Sequence, residues 1–219
     1  MKKVIIFDLD GTLLNTIDDL KNAVNHVLFL HNWPARTTEQ IRQAIGNGVA
    51  KLVERSLPQE TTKGDYLLAL QEFRAYYSEH YDEQTHPYKD VVSLIEKLKS
   101  DGFLLAVCTN KTQLVAEKLV HHFFDHLFDF IQGDQVDVPK KPAPAMIDKI
   151  LHFFHIKKED TLYVGDTDVD RQTALNSQLD YYLVSYGYRT KDELNILCPD
   201  SVIVDTVEEL YFNIKKNRN

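Results

Sequence analysis

Four aspartates in this sequence stand where short apolar runs end: Asp8 and Asp10 follow Val4–Phe7, and Asp166 and Asp170 follow Leu162–Val164. A third run, Leu104–Cys108, leads into Thr109-Asn110-Lys111. In open parallel sheets ligands bind outside the carboxyl ends of strands, so three such ends can converge on one crevice. Carboxylates crowded there repel one another unless a cation offsets them, and oxygen-only ligands select a hard ion such as Mg²⁺, which also accepts phosphate oxygens. Beside the acids stand groups suited to an anion: the Thr109 hydroxyl, backbone N–H groups at Gly11, Thr12 and Asn110, and an ammonium from Lys140-Lys141-Pro142. A phosphoryl group uses both signs of charge, with a metal on one side and lysine and hydroxyl donors on the other.

Those positions need a scaffold. Apolar or β-branched runs recur at Val4–Phe7, Leu104–Cys108, Leu162–Val164, Tyr181–Val184 and Val202–Val204, separated from residue 91 onward by helical patterns. They lack apolar/polar alternation, as strands covered on both faces do, which predicts a parallel sheet flanked by helices. Val91, Leu94, Ile95 and Leu98 fall at helical spacing, and Gly102 ends that helix. Residues 16–82 break the rhythm with helical patterns and no convincing strand. There Thr37 to Gln40 has the form of a capping box, Pro58 stops a helix, and Leu67, Leu70, Phe73 and Tyr77 repeat at spacings of three and four. The division expected is a catalytic core of residues 1–15 and 86–219 with an inserted helical domain of residues 16–85, hinged near 14–17 and 82–90.

The motifs together resemble the haloacid dehalogenase superfamily, and within it the magnesium-dependent phosphatases similar to phosphoglycolate phosphatase. They are the Asp-x-Asp-Gly-Thr loop at Asp8–Thr12, the strand-end Thr109, the Lys-Pro lysine Lys141 and the Gly-Asp-x-x-x-Asp loop carrying Asp166 and Asp170. The resemblance spans essentially the whole chain. It implies an α/β fold, a Rossmann-like three-layer sandwich with a parallel sheet core and an inserted all-α helical cap. It implies Asp8 as nucleophile, Asp10 as acid and base, and Thr109 and Lys141 as stabilisers of the transferring group. Asp8, the Asp10 carbonyl and Asp166 would hold Mg²⁺, with Asp170 binding directly or through water. The substrate implied is a small phosphorylated metabolite, 2-phosphoglycolate first, with sugar phosphates, nucleotides or pyrophosphate as alternatives. A phosphosugar mutase, a dehalogenase and a non-catalytic phosphate-binding regulator are the other readings the superfamily offers. Ile45-Gly46-Asn47-Gly48 with Arg55 resembles a cap segment that meets substrate, against the plainer reading of a helix-capping loop and a solvated arginine. The chain departs from the family at Asn15 and Thr16 (often Asp and Ser), at Lys89 and Asp90 (often Pro-Gly) and near Gln178 (often Gly).

Composition narrows the classes further. The chain has 219 residues, 43% apolar and 26% charged, ordinary for a globular protein, and its formal net charge of -8 disfavours a nucleic-acid or anionic-lipid partner. No run approaches the roughly 18 apolar residues of a membrane span, and Asp8 ends the N-terminal apolar run short of an export segment. Cys108 and Cys198 make no disulfide framework, which with the rest predicts a soluble, cytoplasmic monomer or homodimer. His122 and His126, His152 and His155, Cys108, and Tyr66, Tyr76, Tyr77 and Tyr81 read as packing or solvated groups, Asp168 as a solvated loop residue, and Lys215 to Arg218 as a frayed helix end.

Overall fold

The computed structural model describes residues 2–216. In chain order the elements are β1 (Val4–Phe7), β2 (Leu14–Asn15), α1 (Ile17–Leu30), α2 (Thr38–Ala44), α3 (Val49–Ser56), α4 (Lys63–Glu79), β3 (His86–Pro87), α5 (Val91–Ser100), β4 (Leu104–Thr112), α6 (Gln113–Phe124), β5 (Phe130–Asp134), α7 (Ala145–Phe154), β6 (Thr161–Gly165), α8 (Asp168–Ser177), β7 (Asp180–Val184), α9 (Lys191–Leu197), β8 (Ile203–Val204) and α10 (Val207–Lys216). The chain divides into an α/β unit, Met1–Leu14 with Pro87–Asn219, and a helical unit, Asn15–His86. No helix among the described residues is long and apolar enough to cross a membrane.

The α/β unit holds a six-stranded sheet in the order β5-β4-β1-β6-β7-β8, every pairing parallel. β1 lies between β4 and β6, with Phe7 opposite Val107 on one side and Val164 on the other. Val4, Ile5, Ile6 and Phe7 are all fully buried, which is why the strand reads as an unbroken apolar run. From β1 the chain builds outward through β4 to β5, then returns on the far side of β1 to lay down β6, β7 and β8. That switch in direction beside β1 is the kind of point at which open parallel sheets bind ligands, outside the carboxyl ends of the strands. Val91, Leu94, Ile95 and Leu98 of α5 face the core, and Gly102 (φ 80) closes that helix before β4. The sheet with helices on its faces is the α/β three-layer architecture expected.

The observed β4 runs past Cys108 to Thr112, and the sheet gains β5, a strand outside the apolar runs of the sequence. Between β4 and β5 the register shifts: Cys108 faces Gln132, but Thr112 faces Asp134. The extra residues on β4 form a bulge at Thr109-Asn110-Lys111, the kind of irregularity that re-aims side chains beside a site. Asp90 (φ 64) and Gln178 (φ 59) adopt the left-handed conformation, which explains why glycine suits those positions.

In the helical unit, Thr37 and Gln40 form the reciprocal capping box that starts α2. α3 stops at Ser56 before Pro58. Leu70, Phe73 and Tyr77 of α4 are buried, but Leu67 is 54% exposed, so the buried face takes in Ala69 instead. At the C-terminus Lys215 pairs with Asp101 at 2.9 Å; Asn217 and Arg218 lie outside the described residues.

Candidate active site

The sequence motifs of the α/β unit converge at the ends of β1, β4 and β6. Asp8 follows β1 directly, its backbone N–H donating to the Val164 carbonyl at 2.8 Å, so the residue leaves the sheet in register. The Lys141 ammonium lies 2.8 Å from Asp8 Oδ1 and 2.8 Å from Asp170 Oδ1. It also donates to the Tyr163 hydroxyl at 3.0 Å, and Tyr163 donates to Asp170 Oδ1 at 2.9 Å. The other Asp170 oxygen accepts from the Asp166 and Thr167 backbone N–H groups at 3.2 and 3.0 Å and from the Thr167 hydroxyl at 2.8 Å. Asp166 accepts from the Thr12 hydroxyl at 3.1 Å and from the Tyr188 N–H at 2.8 Å.

Electrostatics set the carboxylates apart. Burial pushes Asp8 up to about 7, with Lys141 opposing and Asp170 assisting. Burial, then the charges of Asp170 and Asp8, raise Asp166 well above the usual carboxylate range. Burial would raise Asp170 too, but the Lys141 charge and hydrogen bonds from Lys141, Thr167 and Tyr163 hold it below its ordinary value. Burial alone would lower Lys141, yet Asp170 and Asp8 raise it. Lys141 is a permanent cation that satisfies Asp170 first and leaves Asp8 and Asp166 short of positive charge.

That shortfall tests whether a metal fits. Asp8, Asp166 and Asp170 each offer an oxygen, all within 4.8 Å of one another, and all three residues are buried. Three oxygen donors, two of them destabilised as anions, suit a hard divalent ion such as Mg²⁺. Asp170 is the most heavily engaged of the three.

Backbone geometry brings the acids this close. Gly11 turns with φ 89, and a Cβ there would lie 2.2 Å from Asp166 Oδ2; at Gly165 a Cβ would lie 2.3 Å from the Asp170 Cβ. The Gly11 N–H, expected to face an anion, donates instead to the Leu14 carbonyl at 2.9 Å, and the Thr12 N–H to Leu9 at 3.4 Å, because the loop folds into its own turn. Asn110 clasps the Lys141 backbone, accepting from its N–H at 2.9 Å and donating to its carbonyl at 3.1 Å. Thr109 is buried, and its hydroxyl accepts from the Lys111 N–H at 3.2 Å. Asp10 pairs with Lys111 at 2.9 Å.

Residues outside the motifs also gather here. Tyr163 reads in sequence as core, and only its place two residues before Gly165 on the strand that carries the acids hints otherwise. Tyr88 and Tyr186, with ring centroids 5.4 Å apart, are both held protonated by burial and then by the charge of Asp166. Nothing in their spacing marks them. Lys140 turns away to Asp134 at 2.6 Å. Asp168 opens α8 with a half-exposed side chain, 4.0 Å from Arg189. Cys108 is fully buried, and burial pushes its thiol up to about 12. Among the described residues the aspartate group is the one cluster of three or more side chains placed to hold a metal, and it contains none of the histidines.

Gly46 and Arg55 belong to the helical unit. There Arg55 donates to the Ala44 carbonyl at 3.0 Å and to Asn47 Oδ1 at 2.7 Å, bracing the loop that contains Gly46.

Comparison with known proteins adds an independent line. The phosphoglycolate phosphatase of Aliivibrio fischeri is 35% identical over 207 residues, covering 91% of this chain and 91% of its own. That of Vibrio parahaemolyticus is 31% identical over 95% of this chain and 94% of its own. Among solved structures, a Lactobacillus delbrueckii subsp. bulgaricus protein superposes with a TM-score of 0.92 at 31% identity, covering 98% of this chain and 99% of that one. A predicted phosphoglycolate phosphatase from Haemophilus somnus gives 0.87 at 29% identity, covering 100% and 98%. The family model described as haloacid dehalogenase-like hydrolase matches residues 5–184, from the strand that leads into Asp8 to the strand beyond Asp170. With the fold, the order of the motifs and these relatives in agreement, the chain belongs to the haloacid dehalogenase-like hydrolases.

Proposed function

We propose that this hydrolase is a Mg²⁺-dependent phosphatase that cleaves a small phosphomonoester through a phosphoaspartate on Asp8, with 2-phosphoglycolate the leading substrate. The observation that carries the reading is the buried Asp8 carboxylate at the end of β1, 2.8 Å from the Lys141 ammonium, beside Asp166 and Asp170. Relatives named phosphoglycolate phosphatase over nearly the full chain support the ester class.

In this reading Asp8, the Asp10 carbonyl and Asp166 hold Mg²⁺, with Asp170 reaching it directly or through water, and the ion supplies positive charge to the phosphoryl oxygens. An Asp8 oxygen attacks phosphorus as the P–O bond to the leaving group breaks, dividing one difficult hydrolysis into two displacements. Asp10 gives its proton to the departing oxygen. It then takes one from the water whose oxygen joins phosphorus as the bond to Asp8 breaks. Lys141 and the Thr109 hydroxyl stabilise charge on the transferring group. Asn110 contributes by fixing the Lys141 backbone, while Gly11 and Thr12 let Asp166 approach and orient it. The helical unit serves as a cap that excludes bulk water, with Gly46 and Arg55 as its candidates for meeting the leaving group. A cytoplasmic setting suits the two buried free cysteines.

A panel of 2-phosphoglycolate, sugar phosphates, nucleotides and pyrophosphate, scored by kcat/KM, tests the substrate. A value for 2-phosphoglycolate below that of another ester transfers the assignment to that ester. Asp8→Asn tests the mechanism: a neutral amide cannot attack phosphorus, so kcat falls at least about 10³-fold with the fold intact by circular dichroism. Turnover near the wild-type level in that variant refutes the phosphoaspartate route.

A further inference from the structure

A second buried lysine stands in the site outside the four motifs. The Lys111 side chain is 3% exposed and its ammonium lies 2.9 Å from Asp10 Oδ1. Burying an ammonium is costly unless partners compensate it, and one of them here is the acid–base carboxylate of Asp10. Lys141 is engaged elsewhere, with Asp8, Asp170 and Tyr163. The two aspartates of the β1 loop are therefore held by different cations, reached from different segments of the chain.

The backbone aims Lys111 with some care. It sits in the bulge where the β4–β5 register shifts between Cys108 and Thr112. Gly133 of β5 lets that segment approach, since a Cβ there would lie 2.9 Å from the Lys111 carbonyl and 2.6 Å from Gln113 Cα. The Gln113 side chain then fastens the edge, accepting from the Gly133 N–H at 2.6 Å and donating to the Ile131 carbonyl at 2.9 Å.

We propose that Lys111 is a positioning residue for Asp10, its ammonium fixing that carboxylate on the leaving-group side of phosphorus; the assignment rests on the phosphatase reading above. Both displacements need an Asp10 oxygen within about 2.6–3.2 Å of the atom that gains or loses the proton. A misplacement of about 1 Å can cost on the order of 10²-fold. An alkyl leaving group needs that proton at bond cleavage, whereas nitrophenolate departs without it.

The test uses the Mg²⁺-supplied full chain, with 2-phosphoglycolate as the alkyl ester and p-nitrophenyl phosphate as the aryl ester. Lys111→Met lowers kcat for 2-phosphoglycolate about 30-fold with KM within about threefold, and slows the first release of nitrophenolate far less. Lys111→Arg, which keeps the cation, recovers kcat to within about fivefold of wild type. In an Asp10→Asn background Lys111→Met adds less than about twofold, because a residue that acts through Asp10 has nothing left to act on. Equal losses on both esters, a raised KM with kcat unchanged, or a further tenfold loss in the Asp10→Asn background would each overturn the assignment. A wild-type chain inert toward both esters would instead overturn the phosphatase reading, and this assignment with it.

Discussion

The strand ends of the α/β unit and the helix surfaces of the helical unit place their charged groups in opposite ways. In the α/β unit Lys141 meets Asp8 and Asp170 with all three side chains nearly out of solvent, at 3%, 11% and 1% exposure, and residues remote in sequence make the pairs. On the helices of the helical unit Lys21–Asp18, Arg42–Glu39 and Lys51–Glu54 are pairs three residues apart, while His31 at the end of α1 meets Glu72 of α4 at 2.7 Å. Pairs at the three-residue spacing add about 0.2–0.5 kcal/mol to a helix. Burying ions carries a penalty of several kcal/mol each, so the first arrangement opposes folding unless partners or a bound cation compensate. Charge is therefore a poor guide to function in the helical unit and a good one at the strand ends. Asp19 shows that burial alone does not decide: its buried carboxylate accepts from the Gln84 N–H and from the Thr85 N–H and hydroxyl, neutral donors that bind α1 to the segment before β3.

The contrast fails if no cation relieves the acids. Chelation with EDTA is expected to remove activity completely and Mg²⁺ to restore it. The same ion should raise Tm, because binding to the folded state alone at a hundredfold excess over Kd adds about 2.7 kcal/mol. For a chain of this size that is roughly 5–10 °C. Asp166→Asn should abolish the rise. A differential scanning trace of the wild-type chain that does not move with Mg²⁺ would leave the buried carboxylates without their compensation.

A smaller effect is expected one layer out. Tyr163→Phe removes the donor to Asp170 Oδ1 and the hydroxyl that accepts from Lys141. Asp170 keeps the Lys141 ammonium, so the loss should be about 1–2 kcal/mol in denaturant unfolding. Lys141 is less firmly placed, and kcat should fall about tenfold with KM little changed. A phenylalanine variant with full kcat would show that Asp170 and the Asn110 clasp position Lys141 without help.

Tyr163 also marks where sequence reading ends. Asp8, Asp10, Asp166 and Asp170 are legible because they cluster in the short segments that follow apolar runs, and Thr109 and Lys141 because they supply the opposite polarity and match the family motifs. Tyr163 carries no sequence signal because an aromatic residue within a strand looks like core, and Lys111 stands at a converging strand end but outside every motif, so the sequence gives it no role. Their roles come from non-local packing that no local pattern encodes. β5 is illegible in the sequence for a related reason. Phe130-Ile131-Gln132-Gly133-Asp134 contains residue types that strands avoid, and Gly133 is there to accommodate the neighbouring bulge rather than to favour a strand. In the helical unit the capping box between Thr37 and Gln40 was readable because it is wholly local, whereas the face of α4 shifted from Leu67 to Ala69 because burial depends on what packs against it.

The smallest expected effect bears on the other side of the contrast. The Arg42 guanidinium makes two short hydrogen bonds to Glu39, at 2.7 and 2.6 Å, a geometry that on a buried strand end would suggest importance. On α2 the Glu39 side chain is 57% exposed, and Gln43 also donates to it at 2.8 Å. Solvent screening and the entropy of holding two long side chains reduce the pair to about 0.3–0.5 kcal/mol. A double-mutant cycle with Glu39→Gln and Arg42→Gln should return a coupling of that size, and kcat/KM for the best substrate should stay within about twofold of wild type. A coupling above about 1.5 kcal/mol, or a tenfold fall in kcat/KM, would mean that this exposed local pair carries what the contrast reserves for the buried strand ends, and that the helical unit's charges bear on catalysis after all.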